Sequence, residues 1–210
     1  MTIFEQLADE VVKGQADEVR NLVNKALSDE ISAEDVLNNG LVAGMNVVSE
    51  KFKNNEFFIP EVLVSARAMT AGLNILNPLL AAANVKAKGK VVIGTVKGDL
   101  HDIGKNIVGM MLQGAGYEII DLGADVPKEK FIESTQKEGA NMVGMSALLT
   151  TTMAGQKTVI EKLNEQGLRR KVKVLVGGAP ANALWAKEIG ADAYAENAVE
   201  AVKKAKALLS

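Results

Sequence analysis

The sequence predicts an α/β fold in which an N-terminal four-helix bundle precedes a flavodoxin-like (Rossmann-like), doubly wound sheet of five parallel strands. Apolar residues recur at helical spacing through residues 1–83. From residue 90 onward, short apolar runs alternate with stretches of helical length, which is typical of strands covered by helices on both faces. We therefore expect domains at 1–83 and 90–210, joined by a linker at 84–89.

The helical half is expected to contain four helices joined by short loops. Thr2 and Glu5 have the spacing of a capping box at the start of the first helix. Ser32 and Asp35 can cap the third helix, and Pro60 suits the first turn of the fourth, where its missing N–H is not needed. The expected helices span about 3–13, 17–28, 32–54 and 60–82.

The second half predicts five strands, each a short run rich in Val, Ile or Met and each followed by a helix. The expected strands lie near residues 91–93, 118–120, 142–145, 172–176 and 192–195. The expected helices lie near residues 104–114, 128–138, 150–167, 181–189 and 197–209.

Composition excludes several classes of function. The 210 residues include 24 Lys and Arg against 26 Asp and Glu, so a net charge of −2 without a basic block argues against a nucleic-acid partner. The absence of Cys excludes thiolate metal sites, and a single His excludes every site that needs two. No segment resembles a targeting sequence or a membrane span, so we expect a cytoplasmic protein.

That histidine lies in the loop after the first expected strand, Gly98 to Asn106 (GDLHDIGKN). A phosphate-binding P-loop needs four residues between its glycines and Ser or Thr after the lysine, whereas five residues separate Gly98 from Gly104 and Asn106 follows the lysine. His101 could cap the helix that starts near Gly104. It could also be the axial ligand of a metal held by a macrocycle, a heme included, with Asp99 accepting the other ring N–H.

The loop also resembles the DxHxxG signature of cobalamin-binding domains, with Asp99, His101 and Gly104 at its fixed positions. The longer run Gly98–Val108 (GDLHDIGKNIV) is similar to the methyltransferase branch of that family. With the helical half included, the resemblance covers nearly the whole chain. It points to the corrinoid methyl-carrier proteins of methylotrophic and acetogenic methyltransferase systems, and to the cap plus B12-binding module of methionine synthase.

Two further motifs follow other expected strands. Ser146 and Leu148 match the family's SxL element, and Gly177-Gly178 matches its GG element. Because the carboxyl ends of parallel strands meet at one edge of the sheet, we expect these residues to lie close to His101. Ser146 is expected to bond a polar group there, and the two glycines to leave room for a buried ligand tail.

The resemblance implies cobalamin or a related corrinoid, bound base-off/His-on, with His101 as the axial ligand to cobalt. The nucleotide tail would thread into the sheet, and Asp99 would act with His101 as the catalytic pair. The implied cofactor contacts are Gly98, Asp99, His101, Asp102, Ile103, Gly104, Ser146, Leu148, Thr150, Thr152, Gly177, Gly178 and, from the cap, Phe58.

Three of these assignments have alternatives. Thr152 aligns with a methionine synthase serine that extends the Asp–His relay, but Thr150–Thr152 could equally be a plain helix start. Phe58 aligns with an aromatic residue that covers the upper face of the corrin, although Phe57 or Phe58 could instead be a core residue of the bundle. Lys105 could touch a phosphate or an amide, but a solvated surface role is the expectation.

The implied function is to carry a methyl group on cobalt between two enzymes. The implied partners are a substrate:corrinoid methyltransferase and a corrinoid:acceptor methyltransferase, with tetrahydrofolate or a thiol as acceptor, and a reductive activation protein. The chain would be the corrinoid-carrying component of a multi-subunit methyltransferase system and not catalytic without partners. The methyl donor stays open among methoxylated aromatics, methanol, methylamines and betaines.

Three other functions stay open. The small subunit of a carbon-skeleton mutase shares the histidine loop but usually lacks the helical cap. A cobalamin-dependent regulator would need a DNA-binding element, whereas the first 83 residues carry more acidic than basic side chains. A corrinoid storage or delivery protein would carry the same motifs.

Overall fold

The computed structural model describes residues 1–83 and 87–209. These residues divide into two compact units, which we call the helical unit (Met1–Ala87 with Gly114–Gly116) and the sheet unit (Lys88–Gln113 with Tyr117–Ser210). The predicted linker at 84–89 includes residues 84–86, which lie outside the described residues. The predicted domain boundaries stay a prediction.

The helical unit contains the four expected helices. The capping box at Thr2 is formed, since its hydroxyl accepts from the Glu5 N–H and the Glu5 carboxylate accepts from the Thr2 N–H. Pro60 lies in the first turn of the last helix, as predicted. The elements are α1 (Ile3–Val12), α2 (Ala16–Ser28), α3 (Ala33–Asp35), a π-helical segment (Val36–Val42), α4 (Ala43–Lys53) and α5 (Ile59–Ala82).

The third expected helix is one continuous helical stretch with a π-helical segment inside it, which the sequence did not predict. Two glycines let this stretch approach α1 closely. A Cβ at Gly40 would overlap the Leu7 side chain, and a Cβ at Gly44 would lie 2.8 Å from the carbonyl oxygen of Ala8. The apolar periodicity on which the prediction depends does not distinguish α-helical from π-helical turns over so short a segment.

The sheet unit confirms the predicted fold class. Five parallel strands follow the order β2-β1-β3-β4-β5, which is the flavodoxin-like order. The strands are β1 (Lys90–Thr95), β2 (Glu118–Asp121), β3 (Met142–Ser146), β4 (Lys173–Gly177) and β5 (Ala193–Tyr194). The helices are α6 (Ile103–Gly114), α7 (Lys128–Glu138), α8 (Thr150–Glu165), α9 (Ala183–Ile189) and α10 (Ala198–Leu209).

The three central strands are apolar because helices cover both of their faces. Val92, Val143 and Val174 are fully buried in the core of this unit. From β1 the chain passes to β2 on one side, and β3 then pairs with β1 on the other side, so the switch point lies between β1 and β3. At their carboxyl ends Thr95 pairs with Ser146, and Ser146 pairs with Gly177. The fold thus aligns the ends of three strands at one edge.

The chain's own packing explains the glycine pair after β4. A Cβ at Gly178 would overlap the carbonyl group of Ala147, and the φ of Gly178 is +114°. A Cβ at Gly177 would lie 3.1 Å from the carbonyl oxygen of Ala195. Close approach of the chain's own backbone thus explains the glycine at position 178. The expectation that the two glycines leave room for a ligand tail stays a prediction.

Among the described residues, no helix has the length and apolarity that a bilayer span needs.

Gly178→Ala should destabilise the protein by about 3 kcal/mol or more, because the methyl group meets backbone and the φ is unfavourable for an L residue. The matched control is Gly167→Ala, where φ is +67° but no described atom lies within 4 Å of the added Cβ. That control should cost only roughly 1 kcal/mol. Urea unfolding of the three proteins measures both effects, and equal losses would contradict a steric role for Gly178.

Candidate functional site

The site is built around an aspartate–histidine pair in the loop between β1 and α6. The Asp99 Oδ1 atom lies 2.8 Å from Nδ1 of His101, and the same oxygen accepts the His101 backbone N–H at 3.0 Å. Asp99 is fully buried, whereas 54% of the His101 side chain is exposed. A charged carboxylate can only accept hydrogen bonds, so the neutral imidazole carries its hydrogen on Nδ1 and presents the lone pair of Nε2.

The second oxygen of Asp99 is held by the segment that follows β3. Oδ2 accepts the backbone N–H of Leu148 at 2.7 Å, the hydroxyl of Thr152 at 2.7 Å and, at 3.4 Å, the N–H of Leu149. Burial by itself raises the pKa of Asp99, but the hydrogen bonds from Thr152, His101 and Leu148 outweigh it and hold that pKa well below its ordinary value. Asp99 is therefore a charged acceptor at neutral pH.

Thr152 thus extends the Asp99–His101 pair into a hydrogen-bonded relay of three side chains. Its hydroxyl also lies 3.0 Å from the carbonyl oxygen of Leu149, at the first turn of α8. The Thr152 side chain therefore has both of the expected positions: it bonds to Asp99, and it lies in the first turn of α8. Thr150, the first residue of α8, is exposed.

Thr95, which the sequence analysis missed, fixes the backbone of His101. It is the last residue of β1 and is fully buried, and its hydroxyl donates to the His101 carbonyl oxygen at 3.1 Å. A polar residue directly after the apolar run Val91–Gly94 was the available signal. His101 is consequently held at three places: its carbonyl by Thr95, and its N–H and its ring by Asp99.

Apolar side chains stand exposed beside this histidine. Leu100, which directly precedes His101, is 76% exposed, and Ile103, the first residue of α6, is 72% exposed. Leu148, whose N–H bonds to Asp99, is 41% exposed. Gly104 lies in the first turn of α6, and a Cβ added there would meet no atom of the described residues within 4 Å. Packing against the part of the chain that the structure describes therefore does not explain a glycine at position 104. This surface suits contact with a large, partly apolar group.

The other predicted site residues lie at the same edge of the sheet. Ser146 ends β3, between Thr95 and Gly177 in the sheet register, and is partly exposed. Gly98 has a φ of +84°, and its N–H donates to Asp125 at 2.8 Å. Asp102 accepts two hydrogen bonds from Asn106, one at its backbone carbonyl and one at its carboxylate. Their roles toward a ligand stay predictions.

The environment of Lys105 differs from the one predicted from the sequence. Instead of a solvated side chain, it has a side chain that is only 1% exposed, and its ammonium group contacts both carboxylate oxygens of Asp121 at 2.6 and 2.5 Å. It also donates to Oδ1 of Asn106 at 2.6 Å. Burial of a lysine requires such partners, and the charged one, Asp121, comes from the end of β2, 16 residues away in sequence.

In the helical unit, Phe58 is an exposed aromatic residue and Phe57 is partly buried. The Phe58 N–H donates to the Glu61 carboxylate at 3.0 Å, just before α5. The core role proposed for one of the two phenylalanines therefore does not apply to Phe58. Its predicted role in covering a corrin stays a prediction.

Comparison with known proteins identifies relatives along the whole chain. Models of the B12 binding domain match residues 89–203 and residues 3–77. The "Dimethylamine corrinoid protein" of Methanosarcina barkeri is 51% identical over 209 residues, which are 99% of this chain and 98% of that protein.

Two solved structures are similar over the full length. A chain of the methanol:cobalamin methyltransferase complex MtaBC from Methanosarcina barkeri aligns with a TM-score of 0.90 and 34% identity, covering 99% of this chain and 79% of that chain. A cobalamin-binding protein from Desulfitobacterium hafniense aligns with a TM-score of 0.81 and 28% identity, covering 100% of both chains.

Asp99→Asn should lower the free energy of unfolding by roughly 1–3 kcal/mol at neutral pH, because the amide cannot accept from all the donors that the carboxylate serves. Since folding lowers the pKa of Asp99, its charge stabilises the fold above the ordinary aspartate pKa of 3.8, and this contribution is lost as the pH falls below that value. The difference from wild type should therefore narrow in acid.

Urea unfolding at a series of pH values measures this difference. Asp102→Asn is the matched control, because it removes a charge from the same loop, and among the described residues the Asp102 carboxylate accepts a hydrogen bond from Asn106 alone. We expect a smaller effect for the control. A difference between wild type and Asp99→Asn that stays constant into acid would contradict a charged, stabilising Asp99.

Proposed function

The chain belongs to the B12-binding domain family, and from that premise we propose that it is a corrinoid protein that carries a methyl group between two methyltransferases. One observation carries the proposal: an exposed imidazole whose Nδ1 is bonded to a buried, charged carboxylate, at the switch-point edge of a doubly wound sheet. Such an imidazole offers a single nitrogen of fixed orientation, which suits a metal whose other ligands come from a macrocycle.

The residues at this edge fit a corrinoid. Leu100, Ile103 and Leu148 present apolar side chains around His101, which suits the rim of a macrocycle. Gly104 leaves open space beside the helix start, where a side chain would stand in the way of a bound group. When bound, the corrinoid supplies a cobalt ion that accepts a methyl group and gives it up again.

We assign His101 as the axial ligand, through Nε2, with the corrinoid base-off. The hydrogen bond to Asp99 keeps the proton on Nδ1, so that Nε2 is available, and it raises the basicity of the ring. Asp99 would thus support ligation by orienting the ring, and Thr152 would keep Asp99 in place.

Ser146, at the end of β3, is proposed to contact the nucleotide tail together with the segments after β3 and β4. Its partial exposure and its position between Thr95 and Gly177 support this assignment. Gly177 and Gly178 would contribute backbone to the same contact rather than an open channel, since Gly178 packs against Ala147. Gly98, Asp102 and Thr150 are assigned as neighbouring contacts.

We propose a methylated amine, with dimethylamine first, as the methyl donor that a partner methyltransferase uses. The relative named for dimethylamine is 51% identical to this chain, whereas the aligned chain of the methanol complex is 34% identical. The acceptor enzyme would transfer the methyl group to a thiol or to tetrahydrofolate, and a reductive activation protein would restore the carrier.

Protein produced with corrinoid present should be coloured and contain one cobalt per chain, as measured by absorption spectroscopy and metal analysis. His101→Ala should shift the spectrum toward a base-off or water-ligated form, because no second imidazole exists in the chain. Lys157→Ala, on an exposed position of α8, is the control and should keep the wild-type spectrum. Stoichiometric heme or flavin in place of cobalt would contradict the corrinoid assignment.

Methyl transfer should be supported when the loaded protein is combined with a dimethylamine methyltransferase, its substrate and an acceptor enzyme. Monomethylamine and methanol, each with its own methyltransferase, test the choice of donor, with product formation measured for each. Faster transfer from methanol would contradict the amine assignment. A protein that binds corrinoid but supports no transfer in any pairing would instead favour a storage or delivery role.

A further inference from the structure

A buried lysine connects the helix after the histidine loop to the end of a neighbouring strand. The Lys105 ammonium group contacts both oxygens of Asp121, the last residue of β2, and the side chain is 1% exposed. With Asn106 as its third acceptor, the ammonium has no donor left for a ligand. Lys105 therefore acts within the protein.

Stability alone explains this arrangement poorly. Removing an ammonium group from water costs more than the attraction to one carboxylate usually returns, so buried ion pairs are often neutral when apolar residues replace them. The position is also electrostatically unfavourable, since Lys105 lies in the first turn of α6, where the helix dipole repels a cation. A conformational role accounts better for a charge at this place.

The ion pair closes a ring of contacts that passes through His101. Asp121 accepts the N–H of Gly123 at 2.8 Å, and the carbonyl oxygen of Gly123 accepts the N–H of Thr95 at 3.0 Å. The Thr95 hydroxyl in turn donates to the His101 carbonyl oxygen. From His101 the chain returns through three residues to Lys105. Each step is a covalent link or a hydrogen bond, so the ring leaves the His101 backbone little freedom.

A second link reinforces the same side of the ring. Asn106 accepts from Lys105 and donates to the carboxylate of Asp102, the residue that directly follows His101. Asp102 directly precedes α6, and its carbonyl oxygen accepts the Asn106 N–H at 2.8 Å. The lysine thus holds the chain just after His101, while Thr95 holds His101 itself.

We propose that the Lys105–Asp121 ion pair is a positioning clamp that keeps the His101 imidazole on Asp99 with Nε2 presented outward. This proposal rests on the proposed function, because it takes Nε2 to be the metal-binding atom. The Asp99–His101 hydrogen bond depends on where the backbone places the ring, and the clamp fixes that backbone on both sides. Lys105 and Asp121 are positioning residues and touch no ligand.

The single histidine makes the clamp measurable in the protein without cofactor. Long-range ¹H–¹⁵N correlation spectra of ¹⁵N-labelled protein, recorded in mildly alkaline buffer, report the tautomer of one imidazole without ambiguity. In wild type we expect one dominant tautomer with the hydrogen on Nδ1. In Lys105→Met the population of the other tautomer should rise roughly fivefold, as when one ordinary hydrogen bond is weakened.

Two further variants separate positioning from stability. Asp121→Asn keeps an acceptor for the Gly123 N–H at a half-exposed position, and it should shift the tautomer in the same direction by less. Arg169→Met is the matched control, because it removes another cation of the sheet unit, bonded to Asp192 at 2.8 Å and to the carbonyl oxygen of Gly190. The control should lower the urea midpoint and leave the His101 signals unchanged.

Unchanged His101 signals in Lys105→Met, together with a lower urea midpoint, would overturn the clamp and make the pair merely stabilising. If Lys105→Met does not fold, Asp121→Asn decides alone, and wild-type His101 signals in that variant overturn the clamp. Corrinoid loading of wild type is measured separately. A wild type that binds no corrinoid defeats the proposed function, while a tautomer shift in the cofactor-free variants still supports the clamp.

Discussion

A buried negative charge is the constraint on which the rest of the site depends. Asp99 has no exposed surface, so its carboxylate requires donors, and these come from its own loop and from the segment after β3. Meeting that requirement brings the ends of β1 and β3 and the start of α8 to one point. The same hydrogen bonds orient His101, so the contacts that stabilise the buried carboxylate also set the direction of the imidazole.

The sheet topology makes this solution available. Because β1 and β3 are neighbours, the loops that follow them leave the sheet side by side, and Leu148 can reach an aspartate that is 49 residues away in sequence. The Leu148 backbone serves Asp99 while its side chain remains partly exposed. Leu148 of the SxL element can therefore donate a hydrogen bond to Asp99 with its backbone and contribute its side chain to the apolar surface beside His101.

Most of the fold could be predicted because its signals are local. The run Val91–Ile93 is apolar enough to indicate a buried strand, and proline and capping residues mark the helix starts. Lys105 could not be placed, because its burial depends on Asp121, which is near in space but 16 residues away in sequence. Thr95 was missed for a related reason, since only the folded loop brings the His101 carbonyl to its hydroxyl. In the site, residue types were predictable and their partners were mostly not.

The backbone donors to Asp99 have a consequence for divergence among such proteins. The N–H groups of His101 and Leu148 belong to the main chain, so replacing the side chain at position 148, or those at neighbouring loop positions such as Leu100, removes neither donor. Mutation of the exposed apolar side chains around His101 therefore leaves the hydrogen bonds that hold the Asp99 charge in place. Selection can therefore alter the size and polarity of this apolar surface, and so adapt it to new partners or modified cofactors, while the backbone donors to Asp99 stay the same.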